Sequence, residues 1–188
     1  MTEEYYPWGG DFTSVNPKGS IAVVLLNIEF IPNDNVAIYG RLKTENIGIE
    51  KIVANVISNP HIRFVLLCGE DIRGHRSGSS LICLHKNGIN ENHRIIDAPG
   101  AIPFIENLTV DAINRFRDQV EIIDLIGETN QTQLQKSINE IASKPVESFG
   151  EPFIAIQMKQ IAHDDFSDKR ALHSKIIVDY MGNIKKRE

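Results

Sequence analysis

The chemistry legible in this chain concentrates on one imidazole. His75 lies in "CGEDIRGHRSGSSLICLHKNG" (residues 68–88), with Gly74 before it and Gly78 three residues after it. Imidazole titrates near neutrality and is the commonest side-chain metal ligand. Flanking glycines let the backbone turn sharply and let a bulky ligand come close. Glu70 and Asp71, just upstream, are candidates to accept a hydrogen bond from the second ring nitrogen, which would strengthen the first as a ligand. They read equally well as turn carboxylates. From the loop alone, His75 stays open between a ligand and a structural residue.

The other histidines form no constellation. His85 reads as a helix-surface residue and His93 as the start of a strand, and a zinc trio of His75, His85 and His93 has no recognised spacing. His61, His163 and His173 stand apart. Cys68 and Cys83 are too few for a disulfide framework and sit in apolar company, as reduced thiols do. No GxGxxG follows the first strand and no phosphate-binding GxxxxGK occurs, so dinucleotide and P-loop chemistry lack their motifs.

The elements around His75 alternate. "SIAVVLLN" (20–27) and "IRFVLLC" (62–68) read as strands buried on both faces, and "VAIYG" (36–40), "HRIIDA" (93–98) and "VEIIDLIG" (120–127) as further strands. Between them, apolar residues at Ile49, Ile52, Val53, Val56 and Ile57 have helical spacing that stops at Pro60. A second helix runs from Ser79 to Asn87 with Gly88 behind it, a third starts at Thr109, and a fourth follows Asn130 and ends before Pro145. The alternation predicts an α/β fold with a doubly wound, mostly parallel sheet. After it, "FIAIQMKQ" (153–160) and "KIIVDYMGNI" (175–184) read as a C-terminal pair of strands around a polar stretch. The expected organisation is a ligand-binding domain over 1–146 and a two-strand extension over 147–188 packed on it.

Ligands of open α/β sheets sit beyond the carboxyl ends of the strands. Three connections qualify: "GRLKTENIG" (40–48), the loop around His75, and "APGAIPFIENL" (98–108). The first runs into a helix N-terminus, which Thr44 or Asn46 is placed to cap. The third carries an apolar set, Ile102, Pro103, Phe104 and Leu108, suited either to plug a local core or to wall a flat greasy ligand.

The length of 188 residues and a hydrophobic content of 41% suffice for one well-cored domain. A formal charge of −5 supplies no global field for nucleic acid or an anionic membrane. No apolar run reaches the roughly 18–20 residues that cross a bilayer. The N-terminal "MTEEYYPWGGDF" is unlike a secretory signal. A cytoplasmic location is the expectation.

The loops carry a resemblance. "KTENIGIEKIVANVISNPHIRFVLLCGEDIRGHRSG", "LHKNGI", "RIIDAPGAIPFIENLT" and "QVEIIDLI" are similar to the A subunit of the tetrahydromethanopterin S-methyltransferase of methanogenic archaea, over roughly Tyr6 to Pro145. The resemblance implies a Rossmann-like domain that binds a corrinoid, cobalamin. It also implies a methyl group carried on cobalt from methyl-tetrahydromethanopterin to coenzyme M. His75 would be the axial cobalt ligand, binding in one cobalt state and relaxing in another. Leu42, Ile102, Pro103, Phe104 and Leu108 would pack on the corrin or its detached base. Lys43, Thr44, Glu45 and Asn46 would meet its peripheral amides. Gly69, Gly74, Gly78, Gly100 and Ala101 would let the backbone pass close to the ring.

Three features depart from the pattern. Family members end in a hydrophobic anchor, where this chain has polar-flanked strands, which points to a soluble homologue. Arg41 and Leu42 stand where the family has proline and cysteine. Other soluble corrinoid modules place an aspartate two residues before their histidine, and that position here is Arg73. The resulting expectation is a corrinoid protein that works with separate methyltransferase partners. The alternatives are a non-catalytic corrinoid storage, delivery or sensor protein, and an ordinary small-molecule α/β enzyme without a metal.

Overall fold

The computed structural model describes residues 5–156, 176–178 and 184–186. Contacts divide them between Gln157 and Met158 into an α/β body and a separate hairpin. In the body, β1 (Phe12–Ser14), β2 (Ile21–Leu25), β3 (Ile38–Arg41), β4 (Phe64–Gly69) and β5 (Glu121–Ile126) form one sheet. Its order is β1-β3-β2-β4-β5, parallel throughout except for β1, which pairs antiparallel with β3 at the edge. The helices are α1 (Ile47–Ser58), α2 (Ser77–Asn87), α3 (Val110–Gln119) and α4 (Gln131–Ala142).

β2 and β4 are buried along their whole length because both faces of the sheet are covered. Ala22, Val24, Val65 and Leu67 face α1, α2 and α3, while Ile21, Val23, Phe64 and Leu66 face Leu134, Ile138 and Ile141 of α4. Strand periodicity of two thus feeds two separate cores. Cys68 lies in the second, and burial pushes its thiol up to about 12.

The predicted helices form, with Thr109, Asn46 and Gly88 at the expected ends and Asn130 as a further cap. Thr109 accepts from the Ala112 amide, Asn130 from Thr132 and Gln133, and α2 stops at Gly88. Asn46 caps α1, accepting from the Ile47 amide at 2.8 Å.

Three expectations need correction. "HRIIDA" is no strand: His93 and Asp97 both have positive φ, 59° and 61°, which breaks any extended run, and only isolated bridges join Ile95 to Ile89 and Arg94 to Phe104. The 98–108 connection is therefore part of one long excursion from α2 to α3. Second, residues 153–156 are not in a strand; Phe153 donates its amide to Ile57 O and packs on the main core, and residues 157–160 lie outside the described residues. Third, the C-terminal pair forms within one predicted strand and just beyond it, as β6 (Ile176–Val178) against β7 (Ile184–Lys186), antiparallel. His163, His173 and the polar stretch around them lie outside the described residues. The short β1 has no apolar alternation to announce it.

Residues 147–151 are strapped to the body. Phe149 lies between the guanidinium groups of Arg63 and Arg115, 5.2 and 4.7 Å from its ring centre. The same arginines donate to the carbonyls of Glu147, Phe149 and Glu151.

Candidate functional site

The chain leaves β2 toward β3 on one side, then crosses behind it through α1 to reach β4 on the other. A crevice opens at that reversal, beyond the carboxyl ends of the strands. It measures about 140 Å³ and is lined by Leu26 and Asn27 after β2, Leu42 and Lys43 after β3, and Ile72 and His75 after β4.

His75 sits on a loop held open by local chemistry. Gly74 has φ +91° and Arg76, directly after the histidine, is left-handed at φ 42°. Arg76 occupies the N-cap position of α2 without making a side-chain capping bond. Asp71 makes it instead, accepting from the Gly78 amide at 3.1 Å, the Ser79 amide at 2.8 Å and the Ser79 hydroxyl at 2.7 Å. Asp71 therefore closes the loop at its base and does not meet the imidazole.

The acceptor for His75 comes from another loop. Its Nδ1 is 3.1 Å from Oε2 of Glu45, which lies thirty residues away in the β3–α1 connection. The His75 side chain is 62% exposed and that of Glu45 only 4%. Oε1 of Glu45 accepts from the Ile102 amide at 3.1 Å, which ties in the third connection. Burial pushes the Glu45 carboxyl up, but its own amide, the Ile102 amide and His75 outweigh that and hold it below the usual range. Among the described residues Nε2 of His75 makes no hydrogen bond. One ring nitrogen is fixed by a buried carboxylate and the other is presented on an exposed ring.

The three connections thus converge as expected, with Gly100 beside both Glu45 and His75. Several residues differ from the surface role expected of them. Leu42, directly after β3, is buried in the main core, and Leu108 and Pro103 are buried because the long α2–α3 excursion folds inward on α1. Phe104 is half-buried under Arg94. Ile102 stays exposed at 58%, joined by Ile72 at 55%, which sequence reasoning passed over. Thr44 is spent on the Gly48 amide, and Lys43 pairs with Asp11. Ala101 is exposed, and Gly69 and Gly78 pack against Ile28 and Leu26. His85 and His93 bond the backbone carbonyls of Val120 and Ile105. Among the described residues no group of three or more His, Cys, Asp or Glu side chains gathers to hold a bare metal ion.

The pairing of Glu45 with His75 was missed because nothing local announces it. The one available signal was Arg73: a histidine without a carboxylate at the usual spacing needs one from elsewhere.

Fold and site define a class: a mixed α/β protein presenting one carboxylate-oriented imidazole at the carboxyl edge of a parallel sheet. The family model for the A subunit of tetrahydromethanopterin S-methyltransferase matches residues 1–166, and the chain belongs to this family. A protein of Methanosarcina barkeri named as the A subunit of a methyltransferase, Mtx, is 44% identical over 151 residues, covering 80% of this chain and 77% of that one. The first of the numbered A subunits of the tetrahydromethanopterin S-methyltransferase of Methanothermobacter thermautotrophicus is 41% identical over 155 residues, covering 80% and 65% respectively. The second numbered A subunit of that enzyme in Methanobrevibacter ruminantium is 38% identical over 164 residues, 85% of each chain. Among the described residues of this chain no helix is long and apolar enough to cross a membrane.

Proposed function

We propose that this chain binds a corrinoid at the carboxyl edge of its sheet, with Nε2 of His75 on the cobalt, and serves as the methyl carrier of a methyltransferase. One observation carries the reading: Glu45 engages Nδ1 of His75, and among the described residues Nε2 has no hydrogen-bond partner on an exposed ring. The donor set fits the group. A corrin ring would bring its own nitrogen ligands, so the protein would need to add one imidazole and no cluster. When bound, the corrinoid supplies a cobalt that accepts and releases a methyl group.

The protein's part is to orient and to manage a proton. A carboxylate on Nδ1 holds the hydrogen there and makes Nε2 the lone-pair nitrogen, the usual arrangement of a ligating histidine. The Ile102 amide holds the other oxygen of that carboxylate, so the ring direction is set from two loops. Exposed Ile72, which lines the crevice with His75, and exposed Ile102 offer apolar contact. Donor and acceptor, methyl-tetrahydromethanopterin and coenzyme M, would be handled by partner proteins, in keeping with relatives named as subunits.

The test is the visible spectrum of the purified protein with hydroxocobalamin, beside His75→Ala. The reading expects a stable complex whose spectrum changes in the variant while the fold, followed by circular dichroism, does not. Identical spectra would remove His75 as ligand; no binding by the wild type would remove the corrinoid.

A further inference from the structure

We propose that Gly100 is a positioning residue for the His75–Glu45 pair, holding the 98–102 connection as a wedge that sets their separation. The inference rests on the reading of His75 as a ligand for its functional meaning only; the geometry stands without it.

The glycine is not there for backbone freedom, since it is absent from the positive-φ residues. It is there for space. A Cβ on Gly100 would lie 2.7 Å from the carbonyl oxygen of His75, 2.8 Å from Oγ of Ser80 and 3.0 Å from Cγ of Glu45. Two of those atoms belong to the pair itself, and the nearest is backbone, which cannot swing aside. Two residues on, the Ile102 amide holds one oxygen of Glu45 while His75 takes the other.

The connection is anchored beyond its tip. The Ile95 amide donates to Pro103 O, the Ile105 amide donates to His93 O, and Glu50 accepts from the amides of Glu106 and Asn107. Glu50 is itself 1% exposed, so that anchor lies in the core. An added methyl at position 100 must therefore lift the tip off Glu45 or push the His75 backbone away. Either outcome breaks the two-sided grip on Glu45, and with it the fixed direction of Nε2. Alanine elsewhere on an exposed loop carries no such consequence.

The experiment uses the intact protein without corrinoid. Crystal structures at one fixed pH are compared for wild type, Gly100→Ala, and Gly100→Ala combined with Ser80→Ala. Gly100→Ala is expected to part His75 Nδ1 from Glu45 Oε2, or the Ile102 amide from Glu45 Oε1, beyond hydrogen-bonding distance. The double variant removes the Ser80 contact alone and is expected to stay parted. Both contacts unchanged in Gly100→Ala, or restored in the double variant, would overturn the proposal. A Gly100→Ala protein that does not fold would overturn it too, because the proposal confines the effect to the pair. Hydroxocobalamin spectra of the wild type test the ligand reading separately, so failure of one leaves the other legible.

Discussion

Glu45 is a carboxylate removed from water and kept ionised by what it touches. Its folded-state value is depressed, so it contributes stability in the pH range above the unfolded carboxylate value of about 4.3. That contribution is lost as pH falls through the depressed folded value. Glu45→Gln should consequently be less stable than wild type near neutrality, with the difference shrinking on acidification below the ordinary carboxylate range. Urea unfolding at a series of pH values measures it, and a difference independent of pH would mean that Glu45 acts as a neutral hydrogen-bonding group. The pair gives His75 a carboxylate partner from a distant loop, while position 73 is an arginine.

At the scale of elements, the His75 loop is closed by Asp71 and the end of α1 by Gln119. Asp71→Ala removes the acceptor of two amides in the first turn of α2 and should cost about 1–2 kcal/mol, the range for a lost helix cap. Gln119, 1% exposed, donates through Nε2 to the carbonyls of Val56, Asn59 and Ile62, while its Oε1 accepts from Arg115. Gln119→Ala leaves the Ile62 carbonyl without its partner, takes one of two partners from the Val56 and Asn59 carbonyls and opens a cavity, and about 2–4 kcal/mol of destabilisation is expected in equilibrium unfolding. These elements differ in how readily they could be read. β2 and β4 were visible because unbroken apolar runs between turn residues suit a doubly covered sheet, α3 because Thr109 could cap it, and α4 because Leu134, Ile138 and Ile141 recur at helical spacing. The 93–98 segment misled because its apolar pair, Ile95 and Ile96, looks extended, whereas the positive φ of His93 and Asp97 is a backbone choice that carries no hydrophobic pattern. Likewise Pro103 and Leu108 read equally as a core plug or a ligand wall, since a loop sequence does not say which way an excursion folds; both are buried.

At the scale of the molecule, the strand order β1-β3-β2-β4-β5 brings three loops distant in sequence to one edge. Sequence reasoning placed all three loops there but could not supply the contacts among Glu45, His75, Gly100 and Ile102, which bridge separations of 30 to 57 residues around Glu45. Of the described helices α4 covers the opposite face of the sheet, with its buried side set by Leu134, Ile138 and Ile141. The central claim is that the imidazole nitrogen of His75 occupies an axial position on a corrinoid cobalt, and electron paramagnetic resonance reads that bond directly. Protein labelled with nitrogen-15 only in histidine is loaded with cobalamin and reduced to the paramagnetic cobalt(II) state. Ligation by His75 predicts that the axial nitrogen splitting appears as a doublet, turns into a triplet when unlabelled protein is used, and disappears as a doublet in His75→Ala. A triplet in the labelled wild-type protein would show the cofactor's own base on the metal and contradict the account.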